Sequence, residues 1–288
     1  DRENVAYVLH HNYGITFETI LDTLNELGIY NVYYKVLNSE DHGIPHHRPR
    51  MYICGILKTI DDGKFEWPDK IECPKLENFL DARDQSLACT GMIEQDGTTA
   101  SENVKKILLP SIHDGLNPML QPFVITCDAS KEKSKCCYNR VQCLTYGQPR
   151  GPFVTSLGRR MNEEEMMRCQ GRDPSAFIKG TTSRREIGKL IGNSMSLNVV
   201  ERILRSLLPA AGFGKNNEGD RWKSGSAMAT LRASRDLGFS ETRPNDDINK
   251  NMPTTHNEYH WFTNKPVNRL FKLPNASNAP SWENITRV

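Results

Sequence analysis

Two arginines one residue apart, Arg48 and Arg50, are the side chains of this sequence best placed to do chemistry. They lie in Leu37–Leu57, LNSEDHGIPHHRPRMYICGIL, between an apolar run (Val32, Tyr33, Tyr34, Val36, Leu37) and a second one from Met51 to Leu57. A Gly-Pro turn, Gly43 and Pro45, separates the runs, so paired strands near a sheet edge are expected. Residues two apart on a strand face the same way, so the two guanidiniums would project together as a fork for carbonyl or phosphate oxygens. The plainer alternative is a pair of surface arginines beside a hairpin.

Other elements must position them. Thr16 to Gly28, TFETILDTLNELG, has apolar residues at 17, 20, 21, 24 and 27, which predicts an amphipathic helix with Thr16 as cap and Gly28 as terminator. Between Asp61 and Pro74 the apolar periodicity fades among Gly63, Pro68 and Pro74, which suggests a boundary. From Ser86 to Val154 short apolar patches (Ile107–Leu109, Phe123–Thr126, Val141–Thr145) alternate with turns, as in a small irregular β-rich domain. Leu157 to Gly171 turns helical, with Asn162 and Glu165 spaced as a capping box. The stretch from Ser183 to Leu208 is also helical in its later part, closed by Pro209. From Phe213 onwards Asn, Gly, Pro and Ser scatter the apolar residues, and a flexible extension is expected in which Trp222, Trp261, Phe262 and Trp282 could dock locally.

The order strand-L-N-S-x-D-x-G-I-P-x-x-R-x-R-x-Y-I-x-G resembles the Q-x-R-x-R block of the DNA cytosine-5 methyltransferases. Glu3-Asn4-Val5 resembles their E-N-V block, Arg160–Gly171 (RMNEEEMMRCQG) their R-x-L-T-x-x-E-x-x-R-L-Q-G block, and Ile191–Val199 (IGNSMSLNV) their final G-N-x block. Four blocks in the family's order cover about Glu3 to Leu208. The resemblance implies an α/β fold: part of an S-adenosylmethionine-dependent, Rossmann-like methyltransferase sheet plus a small β-rich target-recognition domain. The expected division is 1–74 for the C-terminal part of the catalytic domain and 75–155 for target recognition. Residues 156–211 would form the buttress and returning helix, and 212–288 the extension.

By the same resemblance Glu3, Arg48 and Arg50 would hold a flipped cytosine, and Asn4 would orient the catalytic loop. Gly192, Asn193 and Ser194 would line the S-adenosylmethionine pocket. Arg160, Glu165, Arg168 and Gln170 would buttress the recognition region. The sequence departs from the family at His46, where Gln is usual and where an imidazole titrating near neutrality is expected. It departs again at Arg172-Asp173-Pro174, where Phe-Pro usually follows Gln-Gly and a hydrophobic anchor is lost. Neither a Pro-Cys dipeptide nor F-x-G-x-G is present in the sequence. Methylation at carbon 5 needs a thiolate at carbon 6, so an N-terminal half, in cis or in trans, is expected to supply it. The chain alone is expected to be inactive, and an unfinished apolar sheet would call for that partner. A catalytically dead DNA-binding or specificity subunit is the alternative.

The formal net charge of +2 does not by itself announce a nucleic-acid binder. Lys131 to Arg160, however, holds seven Lys/Arg against one Glu, the footprint of phosphate contact. Lys131, Lys133, Lys135, Arg140 and Arg150 are the candidates for holding double-stranded DNA. Asp41, His42, His46 and His47 lie together, but their spacing suits a polar loop lining the site better than zinc, and no metal is expected. The eight cysteines show no disulfide framework, and no membrane-spanning run or signal peptide is read. An intracellular reducing compartment, nucleus or cytoplasm, is the expectation.

Overall fold

A nine-residue antiparallel pair frames the arginine segment: β1 (Tyr30–Asn38) runs against β3 (Pro49–Leu57) from Tyr30↔Leu57 to Asn38↔Pro49. The computed structural model describes residues 9, 11–82, 98–113, 115, 117–118, 120–130, 132–214 and 219–239. All fall in the first of two compact units, Asp1–Pro244. Glu3, Asn4, Lys131, Trp261, Phe262 and Trp282 lie outside the described residues.

Strand alternation gives the pair two unlike faces. Leu37, Tyr52, Cys54 and Ile56 pack on Val199, Ile203 and Ala210 of helix α5 (Leu197–Ala210). On the other face Tyr34, Val36, Ile53 and Leu57 stay 38–50% exposed. Helix α1 (Ile15–Glu26) reaches that face through Phe17, whose ring meets Tyr34 edge-on at 5.2 Å. The helix begins two residues earlier than expected: Gly14, with φ 91°, is its cap, and Thr16 lies inside. Gly28 ends it as expected, at φ 70°.

The region expected from the sequence to be the recognition region lies within that same unit and holds, among the described residues, one α-helix and most of the remaining strands. Strands β4 (Phe123–Ile125), β5 (Cys136–Tyr138), β7 (Phe153–Val154) and β8 (Arg159–Arg160) form an antiparallel sheet in the order β5-β4-β7-β8. The short β2 (His46–His47) and β6 (Val141–Gln142) pair in parallel and tie this region to the arginine segment. Ile107–Leu109, read from sequence as a patch among turns, belong instead to helix α2 (Thr99–His113). Ala100, Val104 and Leu108, four residues apart in turn, make a stripe that packs on Ile125 and Phe153, and Pro110 lies within the helix.

Helices α3 (Glu163–Arg168) and α4 (Arg184–Asn193) each start with a complete capping box, Asn162 with Glu165 and Ser183 with Glu186. The expectation that residues from 212 onwards form a flexible extension fails for 219–239. Helix α6 (Ser226–Leu237) packs there, and Trp222 is 5% exposed. Trp222, Ala227, Met228 and Leu231 share one apolar cluster with Ile44, Leu76, Met166 and Ile187. An apolar stripe interrupted by charged residues was enough to dock a helix against an existing core.

Candidate nucleotide-facing site and its scaffold

Arg48 sits between β2 and β3 and is 4% exposed. Its Nη1 donates to the Leu144 carbonyl at 2.6 Å and to Cys143 Sγ at 3.3 Å. Its Nη2 donates to the carbonyls of Gly192 at 3.0 Å and Ser194 at 2.8 Å. The backbone N–H of Arg48 is held by Asn38 Oδ1 at 2.8 Å. Burial pushes its pKa below the ordinary arginine value, and the neighbouring Arg50 adds to this. Arg50, half-buried on β3, donates from Nη1 to the Pro49 carbonyl at 2.8 Å and from Nη2 to Cys143 Sγ at 3.2 Å.

The two guanidiniums therefore do converge, as the alternation requires, but they are not an equivalent pair. Arg48 spends both terminal nitrogens on backbone carbonyls of the recognition region and of the turn after α4. Arg50 is the arginine with solvent access.

His46 is fully buried, and its Nε2 accepts from the Leu144 N–H at 3.1 Å. Burial above all, with Arg48 and Arg50 beside it, holds its pKa well below the ordinary imidazole value. The expectation of titration near neutrality is thereby corrected: the ring stays neutral, and this bond assigns the proton to Nδ1. His42, 1% exposed, accepts at Nδ1 from Arg202 Nη1 at 2.5 Å, and burial followed by Arg202 brings its pKa to about 4. His47 faces Glu40 at 3.3 Å. Among the described residues no group of three or more His, Cys, Asp or Glu could hold a metal ion.

The block 160–170 is a network of ion pairs around the buried Glu165 and Arg168. Arg160 pairs with Asp128 at 2.7 and 2.9 Å and donates to the Gly151 carbonyl at 3.0 Å. Glu165, with no exposure, takes Arg159 at 2.8 and 2.9 Å and the Asp81 N–H at 2.9 Å. Arg168, equally buried, donates to the Phe79 carbonyl at 2.8 Å and pairs with Asp81. Gln170 donates to the Ile191 carbonyl at 3.0 Å and accepts from Ser196 Oγ at 3.2 Å. Arg159 and Asp81 were missed from sequence, since nothing in their local pattern shows where their partners lie. The missing anchor after Gln-Gly is replaced from a distance. A Cβ on Gly171 (φ 77°) would come within 2.9 Å of Ile44 and 3.0 Å of Trp222.

Gly192 packs tightly against a neighbouring loop. A Cβ there would collide with the Thr145–Tyr146 backbone, and one on Gly188 with Pro149. The two glycines, four apart on one helical face, let α4 lie directly on the loop 145–149. Ser194 turns its hydroxyl to the Ile191 carbonyl at 2.8 Å. Of the three residues expected to line the cofactor pocket, Asn193 alone is exposed.

Lys133, Lys135 and Arg150 are exposed. Arg140 instead faces Glu40 at 3.3 Å, which ties the recognition region to the arginine segment. All seven described cysteines are free, and burial raises the thiol pKa of Cys73 to about 12 and of Cys136 to about 11. No helix of the described residues is long and apolar enough to cross a membrane.

The profile of the C-5 cytosine-specific DNA methylase family matches residues 2–208. The chain belongs to this family. It is 33% identical over 208 residues to the Type II methyltransferase M.HaeII of Haemophilus aegyptius, covering 72% of this chain and 59% of that one. It is 30% identical over 224 residues to the Type II methyltransferase M.NgoBI of Neisseria gonorrhoeae, covering 75% and 63%. The methylase-family chain thus spans about three-fifths of the length of these curated relatives. Among solved structures it resembles the Entamoeba histolytica methyltransferase EhMeth at a TM-score of 0.42 and 18% identity, over 68% of this chain and 58% of that one.

Proposed function

We propose that this chain is the C-terminal portion of a DNA cytosine-5 methyltransferase and works with an N-terminal half that carries the nucleophilic thiolate. The observation that carries the reading is the burial of Arg48 against Leu144, Gly192 and Ser194. One buried cation there joins the arginine strand, the recognition region and the returning helix. In the proposal Arg50 donates to the ring carbonyl oxygen of a flipped cytosine. A thiolate attacking carbon 6 pushes an electron pair into the ring, and a guanidinium at the carbonyl oxygen stabilises the charge that develops. Glu3 would favour protonation at the ring nitrogen. Lys133, Lys135 and Arg150 would hold phosphates of double-stranded DNA.

Cofactor binding is assigned to the complementing half, because Gly192 and Ser194 commit their carbonyls to Arg48. The exposed apolar face of Tyr34, Val36, Ile53 and Leu57 suits burial by that half.

The test is complementation. The purified chain is mixed with an N-terminal methyltransferase half that contains Pro-Cys and F-x-G-x-G, and methyl transfer to DNA is measured. Transfer by the mixture and by neither part alone is expected. Transfer by the chain alone would overturn the proposal. Salt-dependent DNA binding with no rescue by any complementing half would instead establish a binding subunit.

A further inference from the structure

Residues 141–144 are fastened along their length to the arginine segment. β6 pairs in parallel with β2, Val141 opposite His46 and Gln142 opposite His47. The Val141 N–H donates to the Pro45 carbonyl at 2.8 Å, and the Leu144 N–H donates to His46 Nε2 at 3.1 Å. Arg48 holds the Leu144 carbonyl at 2.6 Å. Cys143 lies inside this clamp, so its half-buried side chain has a fixed origin beside β3. Its thiol donates to the Leu144 carbonyl at 3.6 Å. That turns the S–H back along its own chain and leaves the sulfur lone pairs to the two guanidiniums, 3.3 Å away at Arg48 and 3.2 Å away at Arg50.

The sulfur matters unequally to the two arginines. Arg48 is held by three backbone carbonyls without it. Arg50 is not. Among the described residues its guanidinium has two partners, the carbonyl of its own neighbour Pro49 at Nη1 and Cys143 Sγ at Nη2. A contact to the adjacent peptide leaves the guanidinium plane free to turn about that one point. The second point comes from a different element and fixes the plane, while the remaining N–H groups stay open to a substrate. A thiol is a weak acceptor, so it directs the guanidinium without neutralising it, as a carboxylate in its place would.

We propose that Cys143 is the positioning residue for Arg50: its sulfur sets the direction in which that guanidinium reaches for the base. The proposal rests on the substrate role given above to Arg50 and adds the group that aims it. Because Cys143 belongs to the segment expected to read DNA, the seating of that segment sets the aim of the base-holding arginine.

The first measurement needs no methyl transfer. The full 288-residue chain is prepared with isotope-labelled arginine, and the guanidinium resonances of Arg50 are identified by their loss in Arg50→Lys. Separate Nη1 and Nη2 signals are expected for Arg50 in the parent and in Cys143→Ser, which keeps an acceptor. In Cys143→Ala they should merge into one averaged signal, while those of Arg48 stay separate and report that the segment is still folded. The second measurement is a double-mutant cycle in the complemented enzyme. Cys143→Ala should lower kcat about tenfold with KM for DNA within about twofold, because a misaimed group costs rate rather than binding. Cys143→Ser should restore most of that loss. In the Arg50→Ala background Cys143→Ala should cost nothing further, whereas a residue that only stabilises the fold would give additive losses. Separate Arg50 signals in Cys143→Ala, an averaged Arg50 signal in the parent, or additive losses in the cycle would each overturn the proposal. If the parent mixture transfers no methyl group while the Arg50 signals respond to Cys143 as expected, the proposed methyl-transfer reading fails and the aiming contact stands.

Discussion

Arg48 and Arg50 meet at a single sulfur: Cys143 Sγ lies 3.3 Å from the first guanidinium and 3.2 Å from the second. The thiol comes from the recognition region and the arginines from the strand pair, so this contact joins the part that would read DNA to the part that would hold the base. The two arginines nevertheless have opposite surroundings, and their substitutions should have opposite signatures.

Arg48→Ala would strand the carbonyls of Leu144, Gly192 and Ser194 in a dry interior. Breaking such a buried, charge-assisted set costs about 3–5 kcal/mol. Urea unfolding should show that loss with little change in m, and Arg48→Lys should recover only a minor part, because an ammonium cannot span the three acceptors as a planar fork does.

Arg50→Ala should cost no more than about 1 kcal/mol of stability, since its partners are its own neighbour's carbonyl and a thiol. In the complemented enzyme it should lower kcat/KM by about 10- to 150-fold, the equivalent of one charged hydrogen bond of about 1.5–3 kcal/mol. Equal loss of stability in the two variants would contradict the division of labour between them.

Much of this site was legible in the sequence, and the rest was hidden for identifiable reasons. Local chemistry showed through: the Asn162–Glu165 box and the strands flanking Gly43–Pro45 depend on residues a few positions apart. The role of Arg48 did not, because its acceptors lie 96, 144 and 146 residues away. Spacing also could not show that Gly192 serves helix-to-loop packing, since a glycine beside a ligand and one beside a backbone look alike in sequence. Helix α2 was concealed by Pro110, and α6 by a composition rich in Ser, Arg and Ala whose apolar stripe acquires meaning only against the core.

The glycine reading has a direct check. Gly188→Ala and Gly192→Ala each place a methyl group where the backbone of loop 145–149 now runs. Each should destabilise by about 1–3 kcal/mol despite alanine's better helix propensity. Proton–deuteron exchange in residues 144–150 should speed up in both variants. An unchanged midpoint would mean that the helix and loop are not in direct contact.

Trp222 tests whether 219–239 is integral to the fold. Trp222→Ala empties a site that touches the turns at Gly43 and Gly171, and a buried aromatic truncated in this way costs about 3–5 kcal/mol. Trp222→Phe should cost clearly less, although it gives up the indole N–H donated to Glu201 at 3.2 Å. If both variants unfold at the parent's urea midpoint, the segment is merely resting on the surface.

Two buried imidazoles set the acid limb of stability. His42 and His46 both have folded-state pKa values below the unfolded value of about 6.5, His42 at about 4. A group depressed on folding binds more protons when unfolded, so stability is full above about pH 6.5 and is lost as pH falls through and below it. For His42 the loss continues down to about pH 4. Substituting His46→Gln keeps an acceptor for the Leu144 N–H and removes one titrating group. Its unfolding free energy should therefore fall less steeply than the parent's between pH 6.5 and pH 5, above the range where most carboxylates begin to protonate. Parallel slopes for parent and His46→Gln over that interval would mean that the imidazole is charged in the folded protein, and the neutral acceptor role assigned to it would be wrong.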